Sequence, residues 1–186
     1  MPPLRISQMH TYIALLRAVN VGSTWIKMAE LGELFSTHGF QDVATYIQSG
    51  NVVFSSRDSH ARCIETIASF LEKRLTTPVC IILKNAKDMA MVVSENPFLE
   101  DSTIDPTKLH VTFLKEKPTK NVVRMMDAIK AGEDRFHVSG SVVYLHCPDG
   151  YGRTKLSNSA IERALRVQAT TRNWKTVVTL LDMAQG

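Results

Sequence analysis

Apolar positions along this chain recur with two alternating periods, and their order specifies a fold. Residues 11–17 (TYIALLR) are almost continuously apolar, the pattern of a central strand. Met28, Leu31 and Phe35 then recur at helical spacing up to Gly39, a natural left-handed helix terminator. Residues 43–48 and 52–55 read as two strands joined through Ser49-Gly50-Asn51, a turn composition. A helix beginning at Asp58 or Ser59 carries Ala61, Ile64, Ala68, Leu71 and Leu75, and residues 78–83 (PVCIIL) predict a further strand. The order is βαββαβ, the ferredoxin-like arrangement.

The pattern then starts again. Residues 86–95 predict a short helix through Met89, Val92 and Val93, stopped by Asn96-Pro97, and the irregular stretch to Thr107 reads as a linker. Residues 109–115 (LHVTFLK) predict a strand. Pro118 begins a helix through Val122, Met125, Met126 and Ile129, closed by Gly132, and residues 136–138 and 142–147 predict a second hairpin. At the same place in the element order, Ser139-Gly140-Ser141-Val142-Val143-Tyr144 echoes Ser49-Gly50-Asn51-Val52-Val53-Phe54. The expected fold is α+β with two ferredoxin-like (βαββαβ) halves, residues 11–85 and 108–184, connected by the helix and linker 86–107. The second half is expected to be incomplete, its last strand missing or reduced to a few residues near 169–172. C-terminal helices close it, the last with Trp174, Val177, Val178, Leu181 and Ala184 on one face.

The halves are unequal. From first strand to turn, the first spans 11–49 and the second 109–139, and most of the eight-residue surplus fits the loop 18–26 (AVNVGSTWI). A loop longer than its counterpart needs a reason, and binding is one. In a βαββαβ sheet the third strand lies between the first and second, so the end of strand one meets the start of strand three. That brings Arg17, Asn20 and Lys27 toward Gln48, Ser49 and Asn51, at the edge where the first helix presents unpaired N–H groups. Cations, amides and a hydroxyl in one place are the chemistry of a carboxylate or phosphate pocket. Turn chemistry alone also accounts for Ser49-Gly50-Asn51, and Trp25 reads as a core plug rather than a lid.

A second concentration of such groups lies in residues 152–174 (GRTKLSNSAIERALRVQATTRNW). Leu156, Ala160, Ile161, Ala164 and Leu165 share one helical face, and Ser159 and Glu162 have the spacing of a capping box. Arg153, Lys155 and Asn158 then stand just ahead of the helix, with Arg172 and Asn173 beyond it. A solvated cationic face with Glu162–Arg166 pairing is the plainer explanation. In each cluster the nearest acid within the adjoining helix is Glu30 or Glu162, which leaves the cations in excess. The expectation is therefore one cleft lined by Arg17, Lys27, Arg153, Lys155 and Arg172, in which Asn20, Asn51, Asn158 and Asn173 orient an anion.

Composition narrows the partners. A net charge of +4 and a pI near 9.0 suit acidic partners without requiring them. Cys63, Cys80 and Cys147 are widely spaced with no C-x-x-C, which predicts thiols in a reducing compartment and a cytoplasmic protein. No apolar run approaches the roughly 18 residues of a membrane span. The opening MPPLRISQMH lacks the apolar core of a signal peptide and reads as a loose tail. The histidines show no H-x-x-x-H spacing, so no metal site is expected. Neither a G-x-S-x-G nor a Walker sequence occurs, and the carboxylates form no evident acid–base pair. No catalytic residue, cofactor or oligomeric state follows. The residues favour a small anionic or phosphorylated ligand. The alternative is a nucleic-acid or protein interaction module, with nucleic acid disfavoured because the hairpin offers only Tyr46 and Phe54 for stacking.

The block YIALLRAVNVGSTWIKMAELGELFSTHGFQDVATYIQSGNVVF, taken with YGRTKLSN and TTRNWKTV, resembles the family called domain of unknown function 1697 from about Thr11 to Ala184. The usual family opening R-G-I-N-V-G-G corresponds here to residues 17–23, with Ala18 and Ser23 at two glycine positions. A glycine needed there for close backbone approach to a ligand would make this chain bind differently. The resemblance implies an α+β fold with ferredoxin-like parts. It brings no activity and no catalytic residues.

Overall fold

The computed structural model describes residues 8–20, 25–75, 77–129 and 131–186. The chain divides into two compact units, Met1–Ala86 with Met183–Gly186, and Lys87–Asp182. Among the described residues no helix is long and apolar enough to cross a membrane.

The first unit runs β1 (His10–Leu16), α1 (Met28–Thr37), β2 (Gln41–Tyr46), β3 (Asn51–Ser56), α2 (His60–Leu75) and β4 (Ile81–Asn85). Its sheet is antiparallel in the order β2-β3-β1-β4. Tyr12, Ala14, Leu16, Val52, Phe54 and Leu83 meet Leu31 and Phe35 of α1 and Cys63, Ile67, Phe70 and Leu71 of α2 in one core. Ile13, Leu15 and Val53 on the opposite face are buried as well, which explains why β1 is apolar without alternation. The backbone N–H of Arg62 donates to Ser59 Oγ at 3.3 Å, so Ser59 caps α2. The edge strand β2 is interrupted between Gln41 and Ala44, where Asp42 takes φ 51°, a bulge of the kind that blunts edges.

The second unit takes in most of α3 (Ala86–Ser94) and then β5 (Leu109–Leu114), α4 (Lys120–Val123), β6 (Arg135–Ser139), β7 (Val142–His146), α5 (Asn158–Leu165), β8 (Ala169–Asn173) and the greater part of α6 (Trp174–Gln185). Its antiparallel order, β6-β7-β5-β8, repeats the first. Leu114, Val143, Leu145 and Ala169 of the sheet pack with Met126, Leu156, Ile161 and Leu165. The α+β fold of two ferredoxin-like halves is therefore present, and the second half is complete in element order. Of the two alternatives for its last strand the reduced one holds: five residues of β8 pair with β5 from His110↔Asn173 to Leu114↔Ala169.

Three details differ from expectation. The stretch expected as a linker groups with the second unit and holds two 3-10 turns, Pro97–Leu99 and Pro106–Lys108. Each opens on an Asx-Pro pair, with Asn96 Oδ1 accepting from Phe98 N at 3.1 Å and Asp105 Oδ1 from Thr107 N at 2.9 Å. The helix after Pro118 is brief and passes into a 3-10 turn, Arg124–Ala128. Finally, α5 is capped by Ser157, whose Oγ accepts from Ala160 N at 3.3 Å, not by Ser159. Glu162 stands five residues after that N-cap, not at the third position that a capping box uses. Its carboxylate accepts from Ala169 N at 2.8 Å and ties α5 to the start of β8.

The internal repeat is real in topology and offset in register. Leu16 N donates to Gly50 O at 2.8 Å and Leu114 N to Ser141 O at 2.9 Å, so Gly50 corresponds to Ser141 rather than to Gly140. Phe54 consequently matches Leu145, which pairs with His110 as Phe54 pairs with Tyr12. Tyr144 points to the opposite face, where its hydroxyl donates to Val92 O at 3.0 Å, and burial pushes its pKa up to about 12.

Candidate functional site

The first unit gathers the candidate residues Asn20, Lys27, Gln48, Ser49 and Asn51 at the end of the sheet where β1 leaves and β3 begins. The connection from β1 to α1 is residues 17–27, whereas its counterpart from β5 to α4 is only 115–119. Likewise the hairpin loop is residues 47–50 in the first unit and 140–141 in the second. Asn20 pins the two longer loops together. Its Oδ1 accepts from Ile26 N at 2.8 Å, and its Nδ2 donates to Gln48 O at 3.1 Å and, more weakly, toward Gln48 Oε1 at 3.4 Å. Asn51 is fully buried, and its Nδ2 donates to Tyr46 O at 3.0 Å and Ser49 Oγ at 2.8 Å, closing the hairpin from within. Asn20, Asn51 and Ser49 thus shape the site, while Lys27 and Gln48 are the exposed members. Arg17 is half-buried, and its backbone N–H donates to Cys80 O at 2.9 Å on the β4 side of β1.

The backbone here is unusual. Ala18 and Asn20 both take φ 61°, Ile47 takes φ 47° and Gly50 φ 71°. Left-handed conformations cost a non-glycine residue about 1–2 kcal/mol each, and such strain concentrates where loops carry function. Gly50 has a second constraint: a Cβ there would lie 3.0 Å from Leu16 Cβ and 3.3 Å from both Leu16 O and Val19 Cβ. Helix α1 starts at the same edge from Lys27, whose side chain makes no cap. Glu30 in its first turn is engaged by Arg74 of α2 through a forked ion pair. Arg74, with a smaller contribution from the Lys27 backbone N–H, holds the Glu30 carboxyl below the usual range. Trp25 is not a core plug. It is 60% exposed, and Ile26 beside it is the buried residue. Ser23, the second departure from the family's glycines, lies outside the described residues.

In the second unit the candidates separate. Arg153 and Lys155 are exposed on a shallow depression of about 170 Å³ that Glu133, Asp134 and Asp149 also line. The expectation of a cluster short of carboxylate fails here: Asp149 lies four residues before Arg153, and Glu133 and Asp134 arrive from about twenty residues away. Thr154 Oγ1 donates to Asp134 Oδ2 at 2.5 Å. Asn158 is spent on structure: Nδ2 donates to Ala169 O at 3.0 Å, Oδ1 accepts from Thr171 Oγ1 at 3.2 Å, and its backbone N–H donates to Tyr151 Oη at 3.0 Å. Asn173 Oδ1 accepts from Thr176 N at 2.8 Å at the start of α6. Arg172 is adjacent on β8 and therefore points to the opposite face from Thr171 and Asn173. It is only 7% exposed, donates to Thr170 Oγ1 at 2.7 Å and Thr171 O at 3.0 Å, and burial brings its pKa down to about 10. These five residues do not converge.

Among the described residues no group of three or more His, Cys, Asp and Glu side chains could hold a metal ion. Cys63 and Cys147 are buried and Cys80 is half-buried, and burial raises the Cys147 thiol to about 11.

Two βαββαβ units with one elaborated loop end define the class structurally, and comparison with known proteins places the chain within it. It belongs to the family described as protein of unknown function (DUF1697), matched over residues 9–144. That match includes every candidate residue of the first unit. Its fold is similar to the solved structure of the conserved bacterial protein SP0830 from Streptococcus pneumoniae, with a TM-score of 0.76 at 22% identity, covering 96% of this chain and 100% of that one. No curated protein matches the chain.

Proposed function

We propose that the protein binds a small anionic or phosphorylated ligand at the loop end of its first unit, where Lys27 supplies charge and Gln48 a side-chain amide. The observation that carries this reading is the pinning of two lengthened loops by Asn20 beside three non-glycine residues held at positive φ. The second unit has the same topology and none of this elaboration, so the fold itself does not require it. The acid nearest Lys27 along α1, Glu30, is already engaged by Arg74. Buried thiols fit a protein working in a reducing cytoplasm. An interaction module is the alternative, and the bulge at Asp42 counts against strand addition at the β2 edge.

A thermal-shift titration with pyrophosphate tests the reading. A ligand at about 100 times its Kd stabilises by about 2.7 kcal/mol. The wild-type protein is expected to gain stability in pyrophosphate, Lys27→Ala to lose that gain, and Arg153→Ala to keep it. Equal shifts for wild type and Lys27→Ala would contradict the assignment.

A further inference from the structure

The loop that carries Lys27 also carries Trp25, at 60% the most exposed large apolar side chain among the described residues. Between them Ile26 is 1% exposed, and its N–H is fixed to Asn20 Oδ1 at 2.8 Å. The run is therefore out, in, out, and Lys27 itself is extended at φ −66°, ψ 142°. Trp25 and Lys27, exposed on either side of the buried Ile26, thus offer an aromatic ring and an ammonium to solvent from a segment anchored at its middle. Across the Asn20 bridge, Ile47 is 49% exposed, and the Gln48 amide is turned with Oε1 toward Asn20 Nδ2, which leaves its NH₂ as a donor to solvent. An exposed, backbone-anchored tryptophan gives the protein no core stabilisation, whereas a planar ring stacked on it gains directly.

Resting on the anion reading above, we infer that the ligand is a nucleotide, or another planar heteroaromatic ring joined to a phosphate. Its ring stacks on Trp25, its phosphate meets Lys27, and the Gln48 amide donates to it at the turn. Ile47 is the apolar edge of the same platform. Free nucleotide and single-stranded nucleic acid share this chemistry, and their sizes separate them.

Calorimetric titration of the full chain with ADP, pyrophosphate, adenosine and a short oligothymidylate decides the matter, supported by tryptophan fluorescence. The only other tryptophan, Trp174, is 8% exposed, so quenching by a stacked base reports Trp25. ADP is expected to bind about tenfold or more tighter than pyrophosphate and to quench emission, in line with the worth of one base stack. Trp25→Ala should reduce ADP to the affinity of pyrophosphate and leave pyrophosphate itself unchanged, while Trp25→Phe restores part of the difference. Pyrophosphate binding that depends on Lys27, with ADP no tighter and unaffected by Trp25→Ala, would overturn the stacking inference and leave the anion site standing. Failure of both ADP and pyrophosphate to bind would overturn both. Oligothymidylate binding far tighter than ADP, with steep loss in salt, would overturn the free nucleotide in favour of nucleic acid.

Discussion

The two hairpins of this chain show how one topology is used at two levels of elaboration. In the second unit β6 turns into β7 through Gly140 and Ser141 alone, and a Cβ on Gly140 would meet nothing within 4 Å. In the first unit the turn has two more residues, and Gly50 lies directly against Leu16 and Val19. The short turn closes a hairpin and nothing else. The long one is packed against the β1–α1 loop, so the two loops form one body whose geometry is set by Asn20 and Asn51. A similar division appears beneath the helices. The face formed by Tyr12, Ala14 and Leu83 is apolar under the 16-residue α2. Its counterpart carries His110, Thr112 and Thr171 under the 8-residue α5, with the Thr112 and Thr171 hydroxyls 2.8 Å apart and Tyr151 stacked on His110. The second unit thus spends its polar residues on internal bonds, and the first places them at an open end.

Substituting the two glycines breaks the comparison most directly. Gly140→Ala is expected to cost about 0.5–1 kcal/mol, left-handed strain partly offset by the lower unfolded-chain entropy of alanine. Gly50→Ala adds the collision with Leu16 and should cost about 2–4 kcal/mol. Urea midpoints at unchanged m-value measure both, and equal costs would mean that the loops are not packed as one. The caps come next. Ser157→Ala should lose about 1 kcal/mol, and Ser159→Ala should lose less than half of that, because its hydroxyl does not cap α5.

The expected fold followed closely from β1, whose apolar run over residues 12–16 is legible because both of its faces are buried, and from Gly39, which follows the end of α1, whereas Gly132 lies beyond the 3-10 turn that ends at Ala128 and closes no helix. The candidate site was half legible. Sheet topology brought Asn20 to Gln48, since the third strand must lie beside the first. Exposure of Trp25 was not legible, because a tryptophan in a loop looks the same whether it plugs a core or faces water, and only the burial of Ile26 decides. Two of the acids opposite Arg153 and Lys155 were hidden for another reason: Glu133 and Asp134 are about twenty residues away in sequence and arrive by the turn before β6. The register offset between the repeats had no local signature. A one-residue shift exchanges faces without changing composition.

Acid sharpens the contrast between the units. Burial lowers the pKa of both His110 and His146, with Arg135 adding to the effect on His146. As pH falls through about 6.5, the ordinary histidine value, the unfolded chain takes up protons before these two rings do. Their contribution to stability is present above that pH and is lost as pH falls through their lowered folded values. Glu30 in the first unit behaves as a lowered carboxylate and loses its contribution only at more acid pH, below the ordinary glutamate range. Urea midpoints at pH 7.5, about 6 and about 5 should therefore decline. His110→Phe, which keeps a ring against Tyr151, should make the decline shallower. An unchanged slope would remove His110 from the account.

A small gain in stability is expected at the departure from the family's glycine pattern. Ala18 is exposed and held at φ 61°. Ala18→Gly relieves about 1–2 kcal/mol of strain and returns part of it as unfolded-chain entropy, for a net gain of about 0.5–1 kcal/mol. A loss of stability would show that the methyl group contributes a contact.

The most direct test of the central claim is an amide NMR titration of the 20.8 kDa chain with pyrophosphate. The account predicts shifts confined to Ala18, Asn20, residues 25–30 and residues 47–51, with Gly140 and Ser141 unmoved as the matched control. Shifts centred on Arg153 and Lys155, or equal movement at both hairpins, would contradict it.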